Sequence, residues 1–331
     1  MSGPDAGDGD PGILERLELT ILGNEPRFTR HEVVEKAGVS LEFADRLWRA
    51  LGFPTPRDED AMFNVADVEA LETMSALSAL GAVEENDVAS QARSLGQSYA
   101  RLAEWQAALV SDVVLRSDED VDGEQILRLT ADLLPLMQKT QSYVWRRHLA
   151  TAAVRALAQP NKTEEASAPS QVVGFADIVG FTRMSRRLDD QELVELIEHF
   201  EDTANAIIAG HQGRVIKNIG DEVMFVADSA VAGAELALDL ASRGEGVAMS
   251  PLRIGMSYGQ TLSRLGDVYG PVVNVAARLT SIARPGTVVV DRALADELAE
   301  NGDFKVRKMR RVKVRGYNHL EPWVLRPTDD G

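Results

Sequence analysis

Two carboxylates, each beside a glycine at the end of a β-rich run, are the residues here best placed to do chemistry. The first is Asp177, in Val172-Val173-Gly174-Phe175-Ala176-Asp177-Ile178-Val179-Gly180-Phe181-Thr182, an apolar run that reads as a buried strand ending in a glycine turn. The second is Asp221, in Arg214-Val215-Ile216-Lys217-Asn218-Ile219-Gly220-Asp221-Glu222-Val223-Met224-Phe225-Val226, where two β-rich runs flank Gly220-Asp221 and predict a hairpin with a carboxylate at its tip. Taken alone, Asp177 is better explained as a helix cap or turn residue. Together the two favour divalent cations held against phosphates, because hard ions take oxygen ligands and Mg²⁺ uses one or two carboxylates plus the oxygens of its substrate. A third segment, Gly266 to Leu279, has Pro271 where a helix would begin, which puts Asn274 and Arg278 four residues apart on one helix face. Singly, Asn274 reads as a cap and Arg278 as half of a surface ion pair.

The run Phe175 to Thr182 resembles the strand-turn signature of the class III nucleotidyl cyclases. The ordered set Asp177, Lys217, Asp221, Asp267, Asn274 and Arg278 resembles that family's complete constellation, and the likeness covers about 169–327. What the resemblance implies is an adenylate cyclase of the soluble mycobacterial type. Asp177 and Asp221, helped by the backbone carbonyl of Ile178, would hold two Mg²⁺ or Mn²⁺ ions per site. Lys217 and Asp267 would read adenine, whose ring acceptor and exocyclic amine complement one cationic donor and one carboxylate; ATP is then favoured over GTP. The ribose 3′-hydroxyl would attack the α-phosphorus in line, with Asn274 holding the ribose and Arg278 neutralising charge on the phosphate, giving 3′,5′-cyclic AMP and pyrophosphate. The family places a lysine just before a glycine near the C-terminus to hold the terminal phosphates; here Val312-Lys313-Val314-Arg315-Gly316 gives that position to Arg315, a departure that keeps the phosphate-binding chemistry. Family members pair head to tail, each site drawing metal ligands from one chain and the other groups from its partner, so a chain carrying both sets implies a homodimer.

The elements that must position these residues follow from periodicity. A strand at 172–175 leads to a helix over Asp189 to Gly210, the hairpin of 214–226, a helix near 229–243, a strand near 252–258 and a helix from Pro271 to about Ala283. Strand, helix, hairpin, helix, strand is the ferredoxin-like order. Further β-rich runs follow at 287–290, 304–306, 312–314 and 323–325. The expected class is α+β, a ferredoxin-like catalytic domain with its helices on one sheet face, preceded by an all-α regulatory domain.

That regulatory domain is expected over 13–158, after a disordered acidic tail at 1–12, and is joined by a linker at 159–168 to the catalytic domain at 169–327. Thr29 with Glu32 makes a capping box, and a helix-turn-helix with Leu41 to Leu51 as its second helix falls in a MerR-like stretch at 28–75. Glu42 and Asp45 beside Arg46 and Arg49 suit packing or protein contact better than DNA reading. From about Ala70 to Leu157 the pattern is helical throughout. The acidic run Ser117 to Gly123 lacks EF-hand spacing and reads as a solvated loop. The helix ending near Leu157 carries His148 after Arg146 and Arg147 and leads toward the strand of Asp177. The expectation is that residues 1–160 restrain the catalytic half in a pH-dependent way, as in family members whose N-terminal domain responds to pH or lipid.

Composition narrows the alternatives. The chain has 331 residues, enough for two domains, with 44% apolar residues and no cysteine, which excludes disulfides and thiolate chemistry. There is no apolar run long enough to span a membrane and no export signal, so a cytoplasmic location is expected. The formal charge of -17 repels nucleic acid. Rival readings are a catalytically silent nucleotide-binding regulator and a transcription regulator using the helix-turn-helix. A diguanylate cyclase is a third, but the hairpin lacks that family's second glycine and aromatic residue.

Overall fold

The structure, a computed structural model, describes residues 12–80, 87–115, 123–158, 169–243, 250–310, 312–314 and 317–328. Contacts divide the chain into two units, Met1–Pro160 and Asn161–Gly331.

The first unit consists of helices α1 (Ile13–Leu22), α2 (Arg30–Ala37), α3 (Leu41–Leu51), α4 (Val65–Ala79), α5 (Val88–Leu115) and α6 (Gly123–Ala158). The capping box forms as its residues dictate: the Glu32 N–H donates to Thr29 Oγ1 at 3.4 Å and the Thr29 N–H donates back to Glu32 Oε2 at 2.8 Å. Helix α3 turns Ala44, Leu47 and Trp48 into a core shared with Val33, Leu71 and Phe63, with Trp48 stacked on Phe63 at 4.5 Å. Its Asp45 is held by Arg30 at 2.7 Å, so one of the acidic groups on this helix pairs within the unit. Helix α6 runs through Pro135. The acidic run at 117–122, the tail at 1–11 and the linker at 159–168 lie outside the described residues.

The second unit contains, in order, β1 (Ser170–Ile178), α7 (Phe181–Met184), α8 (Asp190–Gly210), β2 (Arg214–Ile219), β3 (Glu222–Ala227), α9 (Ala230–Arg243), β4 (Leu252–Gln260), β5 (Leu262–Arg264), β6 (Asp267–Tyr269), α10 (Pro271–Ile282), β7 (Thr287–Val290), α11 (Arg292–Leu298), β8 (Phe304–Lys308), β9 (Val312–Val314), β10 (Tyr317–Leu320) and β11 (Trp323–Pro327). Seven strands form one sheet in the order β2-β3-β1-β4-β7-β11-β8. Its first four strands have the ferredoxin-like arrangement; β4 and β7 pair in parallel, and the rest of the pairs are antiparallel.

Strand β1 is buried along nearly its whole length, and alternation sends its apolar residues to both sheet faces. Val172, Ala176 and Ile178 pack with Phe200, Ala204 and Ile208 of α8, Leu236 and Leu240 of α9, and Leu294 and Leu298 of α11. Val173 and Phe175 pack on the opposite face with Met224, Val226, Val272 and Ala276. The expectation of helices on one face is therefore corrected: α10 covers the second face. An uninterrupted apolar strand requires this, since a solvated face would leave Val173 and Phe175 in water.

Five further elements were not anticipated: α7, β5, β6, α11 and β10. Each is only three to seven residues long, too short for a periodic pattern to appear.

Candidate active site

Strand register builds the site. Asp177 near the end of β1 is paired with Glu222 on β3 and with Arg253 on β4, which makes one transverse row on the sheet face covered by α10. Asp221 sits in the β2–β3 turn beside Gly220, whose φ of 65° is readily adopted only by glycine. The turn is tied to the strand end, since the Ile178 N–H donates to the Asp221 carbonyl at 3.1 Å. The Arg253 Nε donates to Asp177 Oδ2.

Asp177 is 7% exposed. Burial pushes its carboxyl up, Arg253 opposes that, and the nearby Asp221 adds to it, leaving a net upward shift. Glu222 is pushed up to about 7, first by burial and then by the charges of Asp177 and Asp221. Three carboxylates face one guanidinium, and the residual repulsion marks a place short of positive charge. Such a set fits a divalent cation. Among the described residues no three acidic or histidine groups converge as a complete metal cage. A site of two carboxylates completed by a backbone carbonyl and by substrate oxygens is therefore the one that the donors allow.

Lys217 and Asp267 come together although fifty residues apart: the Lys217 Nζ donates to Asp267 Oδ2 at 2.7 Å. A register shift between Val215 and Lys217 sets the lysine on β2. The β5–β6 hairpin, turning through Leu265 and Gly266 at φ 53° and 83°, presents the aspartate. Burial works upward on Asp267, but the Lys217 ammonium and the Val268 N–H outweigh it and hold the carboxyl below its usual range. The pair is a cationic donor beside an ionised acceptor.

Asn274 and Arg278 lie on the solvent side of α10, and neither side chain has a hydrogen-bond or ion-pair partner among the described residues. The opposite side of α10 buries Val272, Ala276, Leu279 and Thr280. Val272 packs beside Gly259, which pairs with Gln171 at the start of β1, whereas the Thr280 hydroxyl donates to the Phe175 carbonyl at 3.4 Å near the other end. Within one chain, the first turn of α10 thus lies six strand positions from Asp177, about 20 Å away. Contact between α10 and β4 depends on Gly255, where a Cβ would lie 2.1 Å from the Thr280 nitrogen.

The structure thus brings Asp177 together with Asp221, and Lys217 together with Asp267, while Asn274 and Arg278 share a separate exposed helix face. Arg315 lies outside the described residues. Sequence reasoning missed Arg253 and Glu222. Glu222 was visible as the second acid of the Asp221-Glu222 doublet; Arg253 gave no local signal, because only register sets it against Asp177.

Comparison with known proteins agrees with this architecture. Residues 164–327 match the adenylate and guanylate cyclase catalytic domain, and residues 11–141 match the adenylate cyclase regulatory domain. The chain belongs to the adenylate cyclase family and combines both of these domains. It is 38% identical over 358 residues to an adenylate cyclase of Streptomyces coelicolor, covering 99% of this chain and 93% of that protein. It is 41% identical over 297 residues to an adenylate cyclase of Streptomyces griseus, covering 89% and 74%. A pH-sensitive adenylate cyclase of Mycobacterium tuberculosis is 30% identical over 289 residues, covering 85% and 72%. No helix among the described residues is long and apolar enough to cross a membrane.

Proposed function

We propose that this protein converts ATP to 3′,5′-cyclic AMP and pyrophosphate, as a head-to-tail homodimer whose N-terminal half restrains the catalytic half. The observation that carries the reading is the formation of two pairs: Asp177 with Asp221 at one end of the sheet face, and Lys217 bonded to Asp267. Asp177 and Asp221, with the Ile178 carbonyl, would hold Mg²⁺ or Mn²⁺. Bound there, such ions would supply electrostatic stabilisation of the phosphates during displacement. Lys217 donates to the adenine ring acceptor and Asp267 accepts from the exocyclic amine. The bond from Lys217 helps to hold the Asp267 carboxyl below its usual range, ionised as an acceptor. Arg278, free of any described partner, offers its guanidinium to charge growing on the α-phosphate, and Asn274 orients the ribose.

The roughly 20 Å between Asp177 and the first turn of α10, which carries Asn274, supports a site shared between two chains, because Asn274 does not reach a triphosphate held at Asp177 of its own chain. Restraint by the N-terminal half rests on connectivity: α6 ends at Ala158, β1 begins at Ser170, and His148 is exposed on α6 in the stretch before this junction. The pH-sensitive relative adds weight to that part.

The test is product identification after incubating purified full-length protein, and residues 165–331 alone, with ATP and Mg²⁺ or Mn²⁺ from about pH 5.5 to 8, where an unperturbed histidine titrates. Cyclic AMP is expected from both, with the shorter protein faster and less pH-dependent. No cyclic product from either overturns the activity; identical rates and pH profiles overturn the restraint.

A further inference from the structure

Arg253 holds the carboxylate that the proposed reaction needs for its metal. Asp177 is nearly enclosed, its side chain 10% exposed, while the side chain of Arg253 is 40% exposed and reaches in from β4. The contact follows from the fold itself: Asp177 and Arg253 are direct cross-strand partners in the β1–β4 ladder, so their side chains share one face and lie side by side. On the other flank of Asp177, Glu222 is the cross-strand partner from β3, and Asp221 stands in the adjoining turn. The only ion pair described for any of these three carboxylates is the one Arg253 makes to Asp177.

A half-buried cluster of like charge without a counter-ion is costly, and removing the partner of a buried charge leaves that charge uncompensated. Arg253 relieves the cost at Oδ2 of the carboxylate that is read as a metal ligand. A guanidinium bonded to one oxygen of an enclosed carboxylate and a divalent ion on the same group repel each other, so each weakens the hold of the other.

We propose that Arg253 is the resident counter-cation of the metal-binding carboxylates: it occupies Asp177 when no metal is present, and a divalent ion binds by displacing it. This rests on the reading of Asp177 and Asp221 as metal ligands. The arrangement offsets part of the charge of the cluster and lowers its affinity for metal, so that loading the site and releasing the arginine are one event. Arg253 is on this account a positioning residue acting through Asp177.

Mn²⁺ binding to the metal-free full-length protein, without nucleotide, is the test, with free Mn²⁺ measured by electron paramagnetic resonance. Arg253→Met should bind Mn²⁺ roughly tenfold more tightly than the wild type, the low end of what one neighbouring cation does to a carboxylate's affinity for a positive species. Arg253→Lys, with its charge kept on a different donor, should fall between the two. The Mn²⁺-induced rise in melting temperature should likewise be larger for Arg253→Met than for the wild type. Asp177→Asn should abolish the binding. If Asp177→Asn binds Mn²⁺ like the wild type, the metal-site reading itself fails. If Asp177→Asn loses the ion while Arg253→Met binds no more tightly than the wild type, the competition proposed here fails and the metal site stands. Should circular dichroism show Arg253→Met unfolded, Arg253→Gln replaces it with the same outcomes.

Discussion

Glu222 shows how one side chain can report on its neighbours. Its carboxyl, pushed up to about 7 by burial and by Asp177 and Asp221, holds its proton more tightly in the folded than in the unfolded protein. Its contribution to stability is therefore fully present below its ordinary value of 4.5 and is lost as pH rises through about 7. Glu222→Gln should remove that loss and stabilise the metal-free protein at about pH 8 by roughly 1–2 kcal/mol, after discounting for solvent screening. Denaturant titrations at about pH 5 and pH 8 check it, and equal pH dependence in mutant and wild type would refute it. Lys217 and Asp267 make a second prediction. Lys217→Glu combined with Asp267→Ser inverts the donor and acceptor pattern and should shift kcat/KM from ATP toward GTP by on the order of 10²-fold. Unchanged preference would mean that this pair does not read the base.

Helix α10 and strand β4 bring that chemistry into a fixed frame. Because Gly255 has no side chain, the backbone of α10 lies directly on β4, and a Cβ there would meet the Thr280 nitrogen at 2.1 Å and the Ala276 oxygen at 2.6 Å. Gly255→Ala must push the helix outward. An expected cost of about 2–3 kcal/mol follows from overpacking. The displaced helix carries Asn274 and Arg278 with it, so a fall in kcat on the order of 10² should accompany the loss of stability. Wild-type stability and rate in this variant would show that α10 is free to move without consequence. The β5–β6 hairpin has a comparable part, since it is the element that delivers Asp267 to Lys217.

Two copies of the chain should complement each other. Asp177→Ala and Asn274→Ala should each be nearly inactive, yet their mixture should regain about one quarter of wild-type activity, because half of the dimers are mixed and one of the two symmetric sites in each is then intact. Sedimentation with differently tagged chains establishes that mixed dimers form. A mixture no more active than either variant would then exclude the shared site.

The residues of the candidate site stand out in the sequence because each belongs to a local pattern. Asp177 ends an apolar run, Asp221 tips a glycine turn, and Asn274 with Arg278 keeps helical spacing after Pro271. Turn chemistry and periodicity act over a few residues, so the ferredoxin-like order of strands and helices was legible too. Arg253 was not, because its meeting with Asp177 spans 76 residues and depends on strand register, which pairing along β1 and β4 decides. The closeness of Lys217 to Asp267 likewise needed a hairpin too short to carry a period. Which face α10 covers was settled by packing. Val173 and Phe175 needed cover, Gly255 let a helix backbone approach, and burial of apolar surface on both sides of the sheet is a property of the assembled chain that no single segment contains.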